Sequence, residues 1–238
     1  MTKNKYKTIG ILGGMGPMAS ANLYKKIVEI AQRQFGAEQD YDFPPIILYS
    51  LPLVDFDETG FVNEGSVLKQ LYQGVKKLED SGADFIIIAC NTVHYFQDKL
   101  QEQTKIPIVS IIDEAIKEVI DSKVKTVGLL TSESTRALKI YEKRLNKSNV
   151  KTVSASDDQQ RQINKLILDT MGGNVTKRDK QGLFSIADNL TDKGAQGIVI
   201  GCTELPLIIN GDDLNIKTFN TSDIIARVAL EIAYNIKN

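Results

Sequence analysis

Along the chain, short unbroken apolar runs alternate with longer stretches in which apolar residues recur every three or four positions. The runs at 8–12, 46–50, 85–89 and 108–111 are too short for helices and too uniformly apolar for half-exposed strands, so they predict strands buried on both faces. Between them the spacing predicts helices at 19–35 and 65–80; in the latter Val67, Leu68, Leu71, Val75 and Leu78 make one stripe. The second half predicts strands at 126–130, 150–153 and 197–200. A helix is expected at 158–171, with Ile163, Leu166, Ile167 and Thr170 on one face, Asp157 or Asp158 as its cap and Gly172-Gly173-Asn174 after it. A last strand at 217–220 leads into a C-terminal helix from Ser222, expected to pack back on the first half. This alternation specifies an α/β fold whose parallel sheets are covered on both faces.

Two segments of the first half recur in the second. Lys7-Thr8-Ile9-Gly10-Ile11-Leu12 is echoed by Lys125-Thr126-Val127-Gly128-Leu129-Leu130, and Gly82-Ala83-Asp84 with the apolar run to Cys90 is echoed by Gly194-Ala195-Gln196 with the run to Cys202. Matches in the same order at nearly the same spacing indicate a duplicated plan. Two similar doubly wound parallel-sheet domains are expected, 1–112 plus 213–238 and 113–212.

Composition acts mainly by exclusion. The 238 residues carry 29 Lys+Arg against 30 Asp+Glu, a formal charge of −1, which excludes a strongly basic nucleic-acid surface. Fractions of 42% hydrophobic and 25% charged residues are those of a folded globular chain. The apolar stretch after the basic residues of Met1 to Lys7 ends at Gly13-Gly14, short of the roughly 7 to 15 residues of a signal peptide. No run approaches the roughly 18 apolar residues needed to span a bilayer. A cytoplasmic protein with neither membrane nor nucleic-acid partner is expected. Cys90 and Cys202, the two cysteines, are then free thiols. With His94 as the one histidine and no Cys-x-x-Cys, no metal site is expected.

Each cysteine follows an apolar strand and precedes polar residues that open a helix, Asn91-Thr92 and Thr203-Glu204. Open parallel sheets bind ligands beyond the carboxyl ends of their strands, and a helix start lowers a thiol pKa from its ordinary value of about 8.5. Taken singly, each cysteine is as well explained as a small apolar residue closing a core strand. Both together, at equivalent points of a repeat, argue for chemistry. His94 reads either as a buried helix residue or as a thiolate partner. Gly14-x-Gly16-x-x-Ala19 formally matches a dinucleotide fingerprint, yet the second strand ends Tyr49-Ser50-Leu51 without the acidic residue that would hold a ribose, and Pro17 has no N–H to offer. A phosphate loop fails too, since no Lys-Ser/Thr follows Gly16. The loop is expected to hold a small anion on free N–H groups, or to be rich in glycine for geometry alone.

Gly13-Gly14-Met15-Gly16-Pro17, Cys90-Asn91-Thr92-Val93-His94 and Gly201-Cys202-Thr203-Glu204, in that order, resemble the aspartate/glutamate racemase family over essentially the whole chain. The resemblance implies two similar α/β domains related by a pseudo-twofold axis, an active site in the cleft between them, and a homodimer. It also implies an isomerase without cofactor, interconverting L- and D-aspartate or glutamate, with Cys90 and Cys202 as catalytic acid and base. Asn91, Thr92 and Thr203, with the Gly14-Met15-Gly16 loop, would hold the substrate's α-carboxylate and α-ammonium, and Ser50 and Glu204 would complete the site. The chemistry agrees: inversion through a planar carbanion needs a base on one face and an acid on the other, which two equivalent thiols supply.

In one respect the sequence departs from that pattern. Aspartate-specific members of the family carry an Arg after Pro-Asp beyond the second strand and a basic residue near the Gly-Asn of the second half. Phe56 and Met171 stand at those places here. Lys165, Lys177 and Arg178 are the nearest replacements in sequence, although a solvated helix face is the ordinary role for each. A broader range that includes uncharged amino acids is therefore open. So are a related isomerase or decarboxylase of a dicarboxylate or hydantoin, and a metabolite-binding module with purely structural cysteines.

Overall fold

The computed structural model describes residues 6–209 and 211–236; residues 1–5, which include part of the basic N-terminal stretch, Asn210 and 237–238 lie outside them. In chain order the strands are β1 (Ile9–Gly13), β2 (Ile46–Ser50), β3 (Phe56–Asp57), β4 (Gly60–Phe61), β5 (Phe85–Ile88), β6 (Ile108–Val109), β7 (Thr126–Leu130), β8 (Lys151–Ser154), β9 (Ile198–Ile200) and β10 (Thr218–Asn220). The α-helices are α1 (Pro17–Phe35), α2 (Glu64–Asp80), α3 (Gln97–Gln101), α4 (Ile111–Asp121), α5 (Glu133–Ala137), α6 (Glu142–Lys147), α7 (Asp157–Met171), α8 (Lys177–Asp192) and α9 (Thr221–Ala233). The described residues divide into two compact units, one of 6–55, 63–111 and 222–236, the other of 56–62 and 112–221.

The first unit holds a parallel sheet in the order β2-β1-β5-β6. β1 and β5 are buried along their whole length, which is why they read as unbroken apolar runs. Helix α1 starts where Pro17 supplies a first-turn residue that needs no N–H partner, and it ends at Gly36, whose φ of 68° a side chain would resist. In α2 the predicted stripe is buried at Val67, Leu71, Val75 and Leu78, behind an Asn63 cap that accepts from Ser66 N–H. Helix α9 belongs to this unit from Ser222 on. Lys7 N–H donates to Ala233 O at 3.0 Å, and Tyr234 packs on Tyr6 and Phe35, its hydroxyl donating to Asp42 O at 2.9 Å.

The second unit repeats the plan in the order β8-β7-β9-β10, again all parallel. Central strand, following strand, cysteine-bearing strand and last strand take the same places in both sheets. The repeated sequences are the residues that touch. A Cβ on Gly10 would lie 2.9 Å from Ala83 Cβ, and one on Gly128 would lie 3.4 Å from Ala195 Cβ. Asp84 N–H donates to Thr8 O as Gln196 N–H donates to Thr126 O. Their side chains act alike as well, Asp84 accepting from Thr8 N–H and Gln196 from Lys125 N–H.

Three differences from the sequence expectations have local causes. The boundary expected at 212/213 falls at 221/222, because β10 completes the second sheet beside β9. Helix α7 is capped by Ser156, which accepts from Gln159 N–H while the Gln159 side chain accepts from Ser156 N–H; the aspartates at 157 and 158 fill the first turn instead. Residues 56–62, expected as part of the first domain, form the β3–β4 hairpin and belong to the second unit.

Candidate active site

In each sheet the chain runs from its central strand to one edge and then returns on the other side. That reversal opens a crevice at the carboxyl ends of β1 and β5 in one unit, and of β7 and β9 in the other. Gly14 and Cys90 follow the first pair of strands; Thr131-Ser132 and Cys202 follow the second. The ladder is closed just before each cysteine, by Ala89 N–H to Leu12 O at 2.9 Å and Gly201 N–H to Leu130 O at 2.8 Å. Each thiol therefore sits at the switch point of its own sheet.

Around Cys90 the segment is a 3-10 turn, Thr92–Phe96, and not the α-helix start expected from Asn91-Thr92. Cys90, Asn91 and Thr92 are all buried. His94 Nε2 accepts from Ile111 N–H at 3.3 Å, so Nδ1 carries the proton and donates to Cys90 O at 2.8 Å. Of the two expectations for His94 the structure selects the buried one: it ties the backbone of Cys90 to the start of α4. Gly14 has a φ of 98°, and a Cβ there would lie 2.2 Å from Leu51 O, so the loop demands glycine on geometric grounds. Its N–H, expected to be free for an anion, instead donates to Ser20 Oγ at 2.9 Å, and that hydroxyl in turn donates to Gly16 O. Met15 is buried, and Ser50, opposite Gly13 at the end of β2, is exposed.

The surroundings of Cys202 are acidic. Its thiol donates to Glu204 Oε2 at 3.2 Å, and Thr203 Oγ1 donates to the same oxygen at 3.2 Å. Only a 3-10 turn, Leu205–Leu207, follows. The thiol is therefore not lowered by a helix terminus. Burial pushes it well above its ordinary value, and the charges of Glu204 and Glu58 add to that. Glu58, at the turn of the β3–β4 hairpin, was invisible to motif reasoning. It is 7% exposed, its backbone O accepts from Ser134 N–H at 3.1 Å, and its carboxyl is hydrogen-bonded to Ser132. Burial first, then the charges of Glu204 and Asp57, push this carboxyl up to about 8 against the Ser132 bond that lowers it. Ser132 also accepts from Thr135 N–H as the cap of α5. Ser132 was findable: the repeat sets Thr131-Ser132 against Gly13-Gly14. Gly201 admits Tyr141, fully buried, since a Cβ there would lie 2.9 Å from its ring. Among the described residues no group of three or more His, Cys, Asp and Glu is arranged to hold a metal ion, and no helix is long and apolar enough to cross a membrane.

The model of the Asp/Glu/hydantoin racemase family matches residues 12–229. The chain belongs to the Asp/Glu/hydantoin racemase family. A broad-specificity amino-acid racemase of Bacillus subtilis is 30% identical over 228 residues, 95% of this chain and 99% of that protein. Among solved structures, an aspartate racemase homologue of Pyrococcus horikoshii is 31% identical with a TM-score of 0.78, covering 95% of this chain and 98% of that one. The aspartate racemase of Picrophilus torridus is 27% identical with a TM-score of 0.82, covering 94% and 93%. Racemases are isomerases, and the α/β fold is the family's.

In this racemase-family chain the places of the two expected cations are apolar. Phe56 lies in β3 with its ring 5.1 Å from that of Phe61, and Met171, at the end of α7, is 43% exposed. Lys165 is paired with Asp169 on α7, while Lys177 and Arg178 open α8 on its exposed first turn.

Proposed function

We propose that the protein interconverts the enantiomers of amino acids without a cofactor, Cys90 and Cys202 exchanging the roles of base and acid at Cα. The observation that carries this is the identical placement of the two thiols, each at the switch point of one of two sheets with the same strand order. In one direction the Cys90 thiolate takes the α-proton and its C–H electron pair is delocalised into the carboxylate. The Cys202 S–H then protonates the opposite face of the planar carbanion. In the other direction the roles reverse. Cys202 suits the acid role at rest, since burial and neighbouring acids keep its thiol protonated. Asn91, Thr92, Thr203 and the loop at Gly14 to Gly16 are proposed to orient the α-carboxylate and α-ammonium, with fixed donors stabilising the charge that develops on the carboxylate.

The apolar residues at 56 and 171 support a range that extends beyond aspartate and glutamate, in keeping with the breadth named for the Bacillus subtilis relative. The test is a panel of L- and D-amino acids in D₂O without pyridoxal phosphate, followed by α-deuterium uptake and optical rotation. Uptake and racemisation should appear together on acidic and uncharged members of the panel. Neither on any amino acid, or full activity in the Cys90→Ala, Cys202→Ala double variant, overturns the proposal. Activity confined to aspartate and glutamate overturns the broad range alone.

A further inference from the structure

The hairpin that brings Glu58 to the second unit has no role in the two-thiol reaction as described, yet it buries a carboxyl. Hairpin turns are ordinarily solvated, and a glutamate there is ordinarily exposed. This one is buried, with its backbone O held by Ser134 N–H and its carboxyl on the Ser132 hydroxyl. Its neighbours Asp57 and Thr59 are exposed, and Thr59 N–H and Oγ1 both bond to the Asp57 carboxyl, which fixes the turn. The fold therefore places a second carboxyl within electrostatic reach of Cys202, beside that of Glu204.

We propose that Glu58 is a positioning residue for the Cys202 half of the site: while its carboxyl keeps a proton, Cys202 can exist as a thiolate facing Glu204 alone, and when Glu58 ionises Cys202 is held as the thiol. This rests on the two-thiol reading above, in which each turnover in one direction leaves Cys202 as the thiolate. Glu58 transfers no proton in that step. The proton leaves Sγ for the carbanion, the S–H electron pair stays on sulfur, and Glu58 acts only through its charge. Asp57 is on the same hairpin, and Glu204 and Cys202 lie beyond β9. On α5, which packs on the hairpin, Arg136 pairs with Glu133 and with Asp157. Among the charges that act on the Cys202 thiol is that of Glu58, whose carboxyl burial pushes up to about 8, within the working range of pH. Turnover that uses the Cys202 thiolate should therefore fall as pH rises through about 8.

The test compares Cys90→Ser with Cys90→Ser, Glu58→Gln, each titrated with pH while the ultraviolet absorbance of the Cys202 thiolate is followed. Glutamine keeps the size of the side chain and removes its charge. The thiolate should appear about one pH unit lower in the second protein, the size expected for loss of one nearby like charge. In the otherwise unchanged enzyme, Glu58→Gln should remove the alkaline fall in kcat, and Glu58→Asp should retain it. A thiolate midpoint that does not move overturns the proposal, even in an enzyme that racemises its substrates normally. A midpoint that moves supports the coupling even if the substrate panel defeats the racemase reading. Should Glu58→Gln fail to fold, difference infrared spectroscopy of the unsubstituted protein decides: a buried carboxylic C=O band lost with a midpoint of about 8 supports the proposal, and its absence at neutral pH overturns it.

Discussion

At the scale of single residues, the structure gives the two cysteines different neighbours. Cys202 lies against acids, Glu204 at 3.2 Å and the carboxyl of Glu58 beyond it. Cys90 is held through its backbone by His94. If the proposed two-thiol reaction holds, replacing either thiol by alanine removes an acid–base group, and each single variant should lose about 10²- to 10⁴-fold in kcat, with an unchanged melting temperature as the control. His94 predicts the opposite split. His94→Ala removes two buried hydrogen bonds, the one accepted from Ile111 N–H and the one donated to the Cys90 carbonyl, at about 0.5–1.5 kcal/mol each. Denaturant unfolding should register that loss, and glutamine at the same place should recover part of it.

Among elements, the central strand of each sheet is fixed by a glycine facing an alanine. Gly10→Ala would bring two Cβ atoms to 2.9 Å and should destabilise the protein by about 1–3 kcal/mol through overpacking. Adding Ala83→Gly should restore much of this, so a double-mutant cycle will show positive coupling. The same pair in the other sheet, Gly128 and Ala195, is wider at 3.4 Å, although Leu190 stands 3.1 Å from the same position. There the Cβ of Gly128→Ala also meets Leu190 Cβ at 3.1 Å, so Ala195→Gly should restore less. Both cycles are read from urea midpoints. The β3–β4 hairpin, which carries Glu58, has no counterpart between β8 and β9 of the second sheet.

For the whole molecule, Glu58 links folding to pH. Its carboxyl titrates at about 8 in the fold against an ordinary value of 4.5. Between those values the native protein binds the proton and the unfolded chain does not. The contribution to stability is thus fully present below about 4.5 and is lost as pH rises through about 8. Urea unfolding at about pH 5 and about pH 9 should show stability falling across this window, and Glu58→Gln should flatten the fall by improving the alkaline value most.

The sequence by itself determined the parallel sheets, the duplication and the two thiols. Strands buried on both faces must read as continuous apolar runs, and a repeated plan must repeat the contacts that close it, Gly10 with Ala83 and Gly128 with Ala195. It also marked where each thiol stands in its sheet, because strand ends are local. Ionisation was another matter. The expected fall in thiol pKa rested on helix starts that proved to be 3-10 turns, and at Cys202 burial and two glutamates push the other way. The free N–H groups expected of the glycine loop met Ser20, one turn into α1, at the N–H of Gly14. Glu58 lies far from Cys202 along the chain, in a hairpin of two-residue strands that no periodicity can announce. Burial and charge depend on which distant segments converge, and only the tertiary structure decides that.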